Sequence, residues 1–166
     1  MEIEIYTELL TTLYRIAIAM VLCGIIGFER EQLNKPAGLR TNMIIGGAAC
    51  LIVSITLPLI DHLEMANATE MVRTDPIRLL QALVVGISFI GAGTIIKGSG
   101  KKISGLTTAA TLLFSMGIGI AVAIEQYVVA AGVTLIVLFV NYIVRRLSFK
   151  YTNKDRTPRK AFDEKE

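Results

Sequence analysis

The stretch Phe89–Thr111, FIGAGTIIKGSGKKISGLTTAAT, sets five glycines, three lysines and four threonines into an otherwise apolar run. Three readings compete for it: a phosphate cradle, a flexible linker, or a turn between two buried helices. A P-loop requires a glycine, four residues of any kind and then Gly-Lys-Ser/Thr, because the backbone N–H groups wrap the phosphates and the lysine follows the second glycine. Gly93 and Gly98 have that spacing, but Ser99 and Gly100 come next. Lys101 does follow Gly100, yet Ile95 stands where the first glycine belongs. Nor does an acidic residue follow at the distance that a dinucleotide's ribose requires. The nucleotide reading fails, and the stretch is expected to be a hairpin turn between two helices.

The rest of the chain says what solvent those helices have. Of 166 residues, 53% are hydrophobic, and the mean hydropathy is +0.59, too apolar for a soluble domain of this size. A spanning helix needs about 20 predominantly apolar residues. Five blocks approach that length: Leu9–Phe28, Asn42–Ile60, Leu79–Ile96, Gly105–Ile124 and Tyr127–Val144. A soluble bundle would need a polar face on each helix, and these blocks have none. The predicted fold class is all-α, a polytopic membrane bundle of five transmembrane helices. Its transmembrane domain covers residues 1–146, and a basic tail covers 147–166.

Charge orients the spans. Arg30, Lys35 and Arg40 lie between blocks one and two, Lys97, Lys101 and Lys102 between three and four, and Arg145 through Lys165 after block five. With five spans all three groups fall on one side, which the positive-inside rule makes cytoplasmic. The N-terminus, acidic at Glu2, Glu4 and Glu8, is then outside and the C-terminus inside. The net charge of +3 is accordingly an orientation signal with no nucleic-acid footprint, although the tail can touch anionic lipid heads. The first span is preceded by acidic residues and has a long apolar run, so it does not read as a cleavable signal. The tail is too polar to form a core and is expected to be disordered or interfacial, with no soluble domain after it.

Cys23 and Cys50 fall inside spans and read as small core residues. The single histidine, His62, sits beside Asp61 and Glu64 in an outward loop and reads as solvated. No metal-ligand set, cofactor motif or nucleophile–base pair appears, so no enzyme is expected and no metal is assigned.

The two basic turns resemble each other. IIGFEREQLNKPAGLRTNMIIGGAA and FIGAGTIIKGSGKKISGLTTAATLL both leave a span through glycine and re-enter through Gly-Leu-x-Thr, at Gly38–Thr41 and Gly105–Thr108. Related by an axis along the membrane normal, they form a candidate parallel hairpin repeat. Pro36 and Gly38 stop helix one from continuing. Thr41 or Asn42, and Thr107 or Thr108, can cap the helix starts that follow. Those starts carry partial positive charge, which predicts that Glu29 or Glu31 pairs with Arg40 or caps a neighbouring helix. Gly27, Gly38, Gly86, Gly91, Gly93 and Gly105 are expected to let helices approach closely. Gly91–Gly93 is also where a broken helix would expose carbonyls to an ion.

Charges within or against the membrane carry most weight. Arg15 lies inside span one, where an unpaired charge is costly unless it snorkels. Asp75 and Pro76 suit the N-cap and first position of span three. Asp75 can alternatively face a cavity and pair with Arg15 or Arg78, or attract a cation. Gln81, Ser88, Thr94, Thr111, Ser115 and Asn141 are expected to make interhelical hydrogen bonds.

At these residues the chain resembles the MgtC/SapB family of bacterial inner-membrane proteins. The likeness rests on Gly27-Phe28-Glu29-Arg30-Glu31, Ala37-Gly38-Leu39-Arg40-Thr41, Asp75-Pro76-x-Arg78, Gly91-Ala92-Gly93-Thr94-Ile95 and Gly105-Leu106-Thr107-Thr108-Ala109-Ala110, in that order between Leu9 and Val144. The resemblance implies a non-enzymatic regulator tied to magnesium limitation or acid stress, docking on membrane machines such as ATP synthase or a P-type ATPase. Longer members add a cytoplasmic domain after the last span, whereas this chain ends about twenty residues beyond it. The competing class is a transporter of Mg2+, Na+, H+ or a small solute. Against it, Asp75 lies on one side and Glu29 and Glu31 on the other, so no single midplane site forms. The glycine faces predict a homodimer.

Overall fold

The computed structural model describes residues 2–65, 76–97 and 103–152. Five helices account for nearly all of them: α1 (Glu2–Gln32), α2 (Leu39–Met65), α3 (Pro76–Thr94), α4 (Leu106–Ala123) and α5 (Tyr127–Thr152). Each is long and apolar enough to cross a bilayer. A helix satisfies all its own backbone hydrogen bonds, the condition that hydrocarbon imposes on any spanning segment. The all-α fold with five candidate spans is therefore as the sequence predicts.

The ends of the blocks differ in informative ways. Pro76 is the first residue of α3, where its missing N–H costs nothing. Ile96, expected inside the third span, lies outside α3: the Ile95 N–H turns back to the Ala92 carbonyl at 3.1 Å. Ile96 then joins β1 (Ile96–Lys97), paired antiparallel with β2 (Ile103–Ser104) in a two-residue ribbon. The helix α5 runs to Thr152, six residues into the segment assigned to the tail. Residues 153–166 lie outside the described structure, as does Asp75.

The α1–α2 and α4–α5 connections are short because left-handed residues reverse the chain. Asn34 (φ 50°) and Ala37 (φ 58°) do so between α1 and α2, and the Lys35 N–H returns to the Arg30 carbonyl at 3.1 Å. Between α4 and α5, Gln126 N–H reaches the Ala121 carbonyl at 2.8 Å and Glu125 N–H the Val122 carbonyl at 3.0 Å. That pair of bonds is a Schellman stop, with Glu125 at φ 63° in the position that glycine usually fills.

Packing is uneven. Half of the spanning window of α4 is buried, against 11% of that of α3. The seam forms where α1, α2 and α4 meet, with Cys23 and Ile26 of α1, Cys50 and Val53 of α2, and Ile118 and Val122 of α4 at its centre. Arg15, Ala19, Cys23, Ile26 and Arg30 recur at the three- and four-residue spacing of one helix face, and that face turns inward. Lipid tails offer no hydrophobic drive for helices to associate, so close backbone approach through small residues does the work. A Cβ on Gly27 would stand 2.8 Å from both the Gly38 carbonyl oxygen and Leu39 Cα. A Cβ on Gly119 would meet the backbone of Gly46, and one on Gly46 would meet the Cys23 sulfur.

The packing role expected of Gly86 and Gly93 is not found among the described residues, none of which lies within 4 Å of a Cβ at either. The reason is rotational. Helix α3 leans on α4 through Ile87, which is buried, and through Gly91, whose Cβ would stand 3.3 Å from that of Ala109. At about 100° per residue, Gly86 and Gly93 fall off that face.

Candidate functional site

Five polar contacts gather at the end of the seam where the α1–α2 and α3–α4 turns lie. Arg30, in the last turn of α1, is 4% exposed and donates from Nη2 to Thr108 Oγ1 of α4 at 2.9 Å. Asn42, fully buried in the first turn of α2, donates from Nδ2 to the carbonyls of Ala37 (2.7 Å) and Gly38 (2.9 Å). Its Oδ1 accepts from the Ser115 hydroxyl of α4 at 2.7 Å. Ser115 in turn offers its carbonyl to the Cys23 thiol at 3.3 Å. An amide is well suited to this place: it gives the Ala37 carbonyl a partner, adds a second donor to the Gly38 carbonyl, which already accepts the Asn42 N–H at 3.2 Å, and bridges to a third helix, using most of its hydrogen-bonding capacity.

The acids beside this cluster are engaged separately. Glu31 Oε2 accepts the Leu39 N–H at 2.8 Å, capping the start of α2 with the negative charge that its dipole favours. Glu29 Oε2 accepts from Asn141 Nδ2 of α5 at 3.1 Å. The side-chain caps expected from threonine and asparagine do not form. Asn42 donates to carbonyls, and α4 begins at Gly105 (φ 93°) without a side-chain cap. Thr107 and Thr108 sit within the helix, where the Thr107 carbonyl accepts from Thr111 and the Thr108 hydroxyl serves Arg30. Gly105 is required by geometry twice over: its φ suits glycine, and a Cβ there would run into the Thr94 carbonyl.

At the opposite end of the seam Arg15 is paired. Its Nη2 contacts Glu125 Oε1, and its Nη1 donates to the Ala123 carbonyl at 3.5 Å. A cation meeting the last carbonyl of α4 and a carboxylate two residues beyond the helix is the arrangement the dipole rewards. The Arg15–Asp75 pairing lies outside the described residues.

The remaining predicted residues are scattered. Arg40 and Arg78 are exposed, and Thr41 is half-buried. Thr94 bonds within its own helix, to the Gly91 carbonyl at 2.7 Å. Sequence reasoning missed the Arg15–Glu125 pair, although Glu125 is the lone acid in the short turn between spans four and five. It also underrated Asn42, read as a cap rather than as the centre of a network.

Chemically, the cluster can hold three helices in register and present a guanidinium at the bundle end. Among the described residues no group of three or more His, Cys, Asp or Glu side chains could hold a metal ion. Cys23 and Cys50 are free thiols. A groove of about 360 Å³ between α4 and α5 is lined by apolar residues, among them Leu113, Phe114, Gly117, Val129 and Val133; it offers nothing to orient a polar solute.

Comparison with known proteins gives a consistent picture. The MgtC family model matches residues 16–149. Protein MgtC of Salmonella typhimurium is 38% identical over 128 residues, covering 76% of this chain and 49% of the relative. Protein SapB of Bacillus subtilis is 34% identical over 139 residues, covering 81% of this chain and 59% of the relative. YhiD of Escherichia coli K12, whose name marks it as a candidate magnesium transporter, is 34% identical over 142 residues, covering 85% and 64% respectively. The chain thus spans between about half and two thirds of the length of these relatives. No solved structure matches.

Proposed function

Because the chain belongs to the MgtC family, we propose that this multi-pass membrane protein is a non-enzymatic regulator that acts by docking its spans on other membrane proteins. Its setting is the bacterial inner membrane under magnesium limitation or acid stress, with an ATP synthase or a P-type ATPase as the kind of machine it contacts. The N-terminus lies outside and the basic C-terminus inside, and the chain works as a homodimer.

The observation that carries this reading is how the seam is filled. Between Arg15 and Arg30 its interior is apolar or bonded, with Ile26, Leu112, Ile118 and Val122 each at most 1% exposed. The described carboxylates near the seam, Glu29, Glu31 and Glu125, sit at its ends and each has a partner. Alternating-access carriers bind their ion near the midplane, on broken helices, whereas α3 is continuous through Gly91 and Gly93 to Thr94. By contrast, α3 and α5 present Phe89 (83% exposed), Val128 (87%) and Val85 (70%) outward, apolar faces that a membrane partner or a second copy can cover. The transporter reading retains one support, the name carried by the Escherichia coli relative.

Liposomes holding the purified protein decide between the two. Mg2+, Na+ and H+ flux should not exceed that of empty liposomes, while crosslinking in the native membrane should trap a partner on α3 or α5. A flux that Asp75→Asn or Glu29→Gln abolishes would replace the regulator reading with transport.

A further inference from the structure

Among the described residues no carboxylate forms an ion pair with Arg30, although Glu29 is near enough to act on its charge. The residue is 4% exposed, and its side-chain hydrogen bond goes to the neutral hydroxyl of Thr108. Its Nε is buried and bonds nothing. The neighbouring acids are committed elsewhere, Glu29 to Asn141 and Glu31 to the Leu39 N–H. Among the described residues the ion pair is that of Arg15 and Glu125, at the far end of the seam.

Thr108 also lies in the first turn of α4, an 18-residue helix whose start has no side-chain cap. The first N–H to return along that helix is Ala109, to Gly105 O at 2.9 Å, so the donors ahead of it face outward from the helix end. Their partial positive charge adds to that of Arg30. Two like-signed groups held against each other in a low-dielectric setting are destabilising by themselves, and an anion between them reverses the sign of both interactions. The guanidinium fork matches tetrahedral oxyanions, which it binds through parallel N–H bonds. The start of α4 itself is open on one side, where Leu106 (60% exposed) and Thr107 lie beside the buried Thr108.

We propose that Arg30, Thr108 and the uncapped start of α4 form a binding site for a phosphate-type oxyanion at the hairpin end of the bundle. The site sits where an apolar span ends, at the depth of lipid headgroups. The same chemistry thus suits inorganic phosphate or the phosphodiester of an anionic phospholipid, and experiment separates the two.

Thermal unfolding of the full chain would be followed in detergent with inorganic phosphate against chloride at matched ionic strength. A second arm compares phosphate-free nanodiscs of phosphatidylglycerol with nanodiscs of phosphatidylcholine. Stabilisation in the first arm identifies free phosphate, and in the second a lipid phosphate; either supports the site. In both cases Arg30→Gln and Thr108→Val should raise the half-saturating concentration about tenfold or more, while Arg40→Gln, an exposed arginine of the same region, should leave it unchanged. Thr108→Val keeps the charge and packing of Arg30, so it remains informative should Arg30→Gln fail to fold. Equal melting in both pairs of conditions would overturn the proposal. So would a stabilisation that Thr108→Val leaves undiminished.

Discussion

Arg15 and Arg30 stand on one face of α1, roughly 22 Å apart along the axis, and the molecule treats them in opposite ways. Arg15 lies at the C-terminal end of α4 and meets both the Ala123 carbonyl and the carboxylate of Glu125. Arg30 lies at the N-terminal start of the same helix, is more deeply buried, and meets a hydroxyl. Helix polarity explains the contrast: one end of α4 attracts a cation and the other repels it. Seam ends of equal charge therefore have different work. The Arg15 end carries an ion pair, whereas at the other end the Arg30 guanidinium donates to a neutral hydroxyl.

Substitutions can break or sharpen this comparison, and the largest effect belongs to the Arg30 end. Gly27→Leu would force a side chain where even a Cβ meets backbone at 2.8 Å. We expect a loss of about 3 kcal/mol or more, seen as failure to recover a monodisperse protein in detergent. Normal melting of that variant would mean that the α1–α2 contact is looser than described.

Asn42→Ala comes next, at about 1–2 kcal/mol, because it takes a partner from the Ala37 carbonyl and from the Ser115 hydroxyl together. Ser115→Ala should cost less, and the double variant less than the sum, since both remove the same bond. Strict additivity in melting experiments would show that the network is not coupled.

The Arg15 end should be more tolerant. Glu125 is 60% exposed at its side chain, so Glu125→Gln should cost about 0–1 kcal/mol and make the melting temperature less sensitive to salt. Glu125→Gly should be close to neutral, because relief of the left-handed backbone offsets the lost pair by about 1 kcal/mol. A collapse of stability in either variant would make this pair, and not the Asn42 network, the main clasp. The smallest effect is expected outside the seam: Gly86→Leu should change stability by less than about 0.5 kcal/mol. Should it instead abolish a dimer seen by mass measurement in detergent, Gly86 lies at the contact between copies.

Much of the architecture was legible in the residues. The five apolar blocks, Pro76 opening α3 and the glycines ahead of Leu39 and Leu106 all announce themselves locally, and each appears in the structure. The pairings were less legible. Gly86 and Gly93 look like packing glycines from sequence, but rotation of α3 against α4 turns them away. Asn42 looks like a cap, yet it works as a bridge because Ser115, far along the chain, arrives beside it. Glu125 sits unremarked in a turn until helix packing carries Arg15 to it.

What the sequence alone determined is therefore the solvent and the segments. Hydrocarbon requires long uninterrupted apolar helices, a demand met residue by residue within each block. Only the tertiary structure decided which charges have partners. Whether an arginine meets a helix start or a helix end depends on how α1 lies against α4, and no local pattern encodes that alignment. The same alignment leaves the Arg30 guanidinium beside a helix start and the Arg15 guanidinium beside a carboxylate.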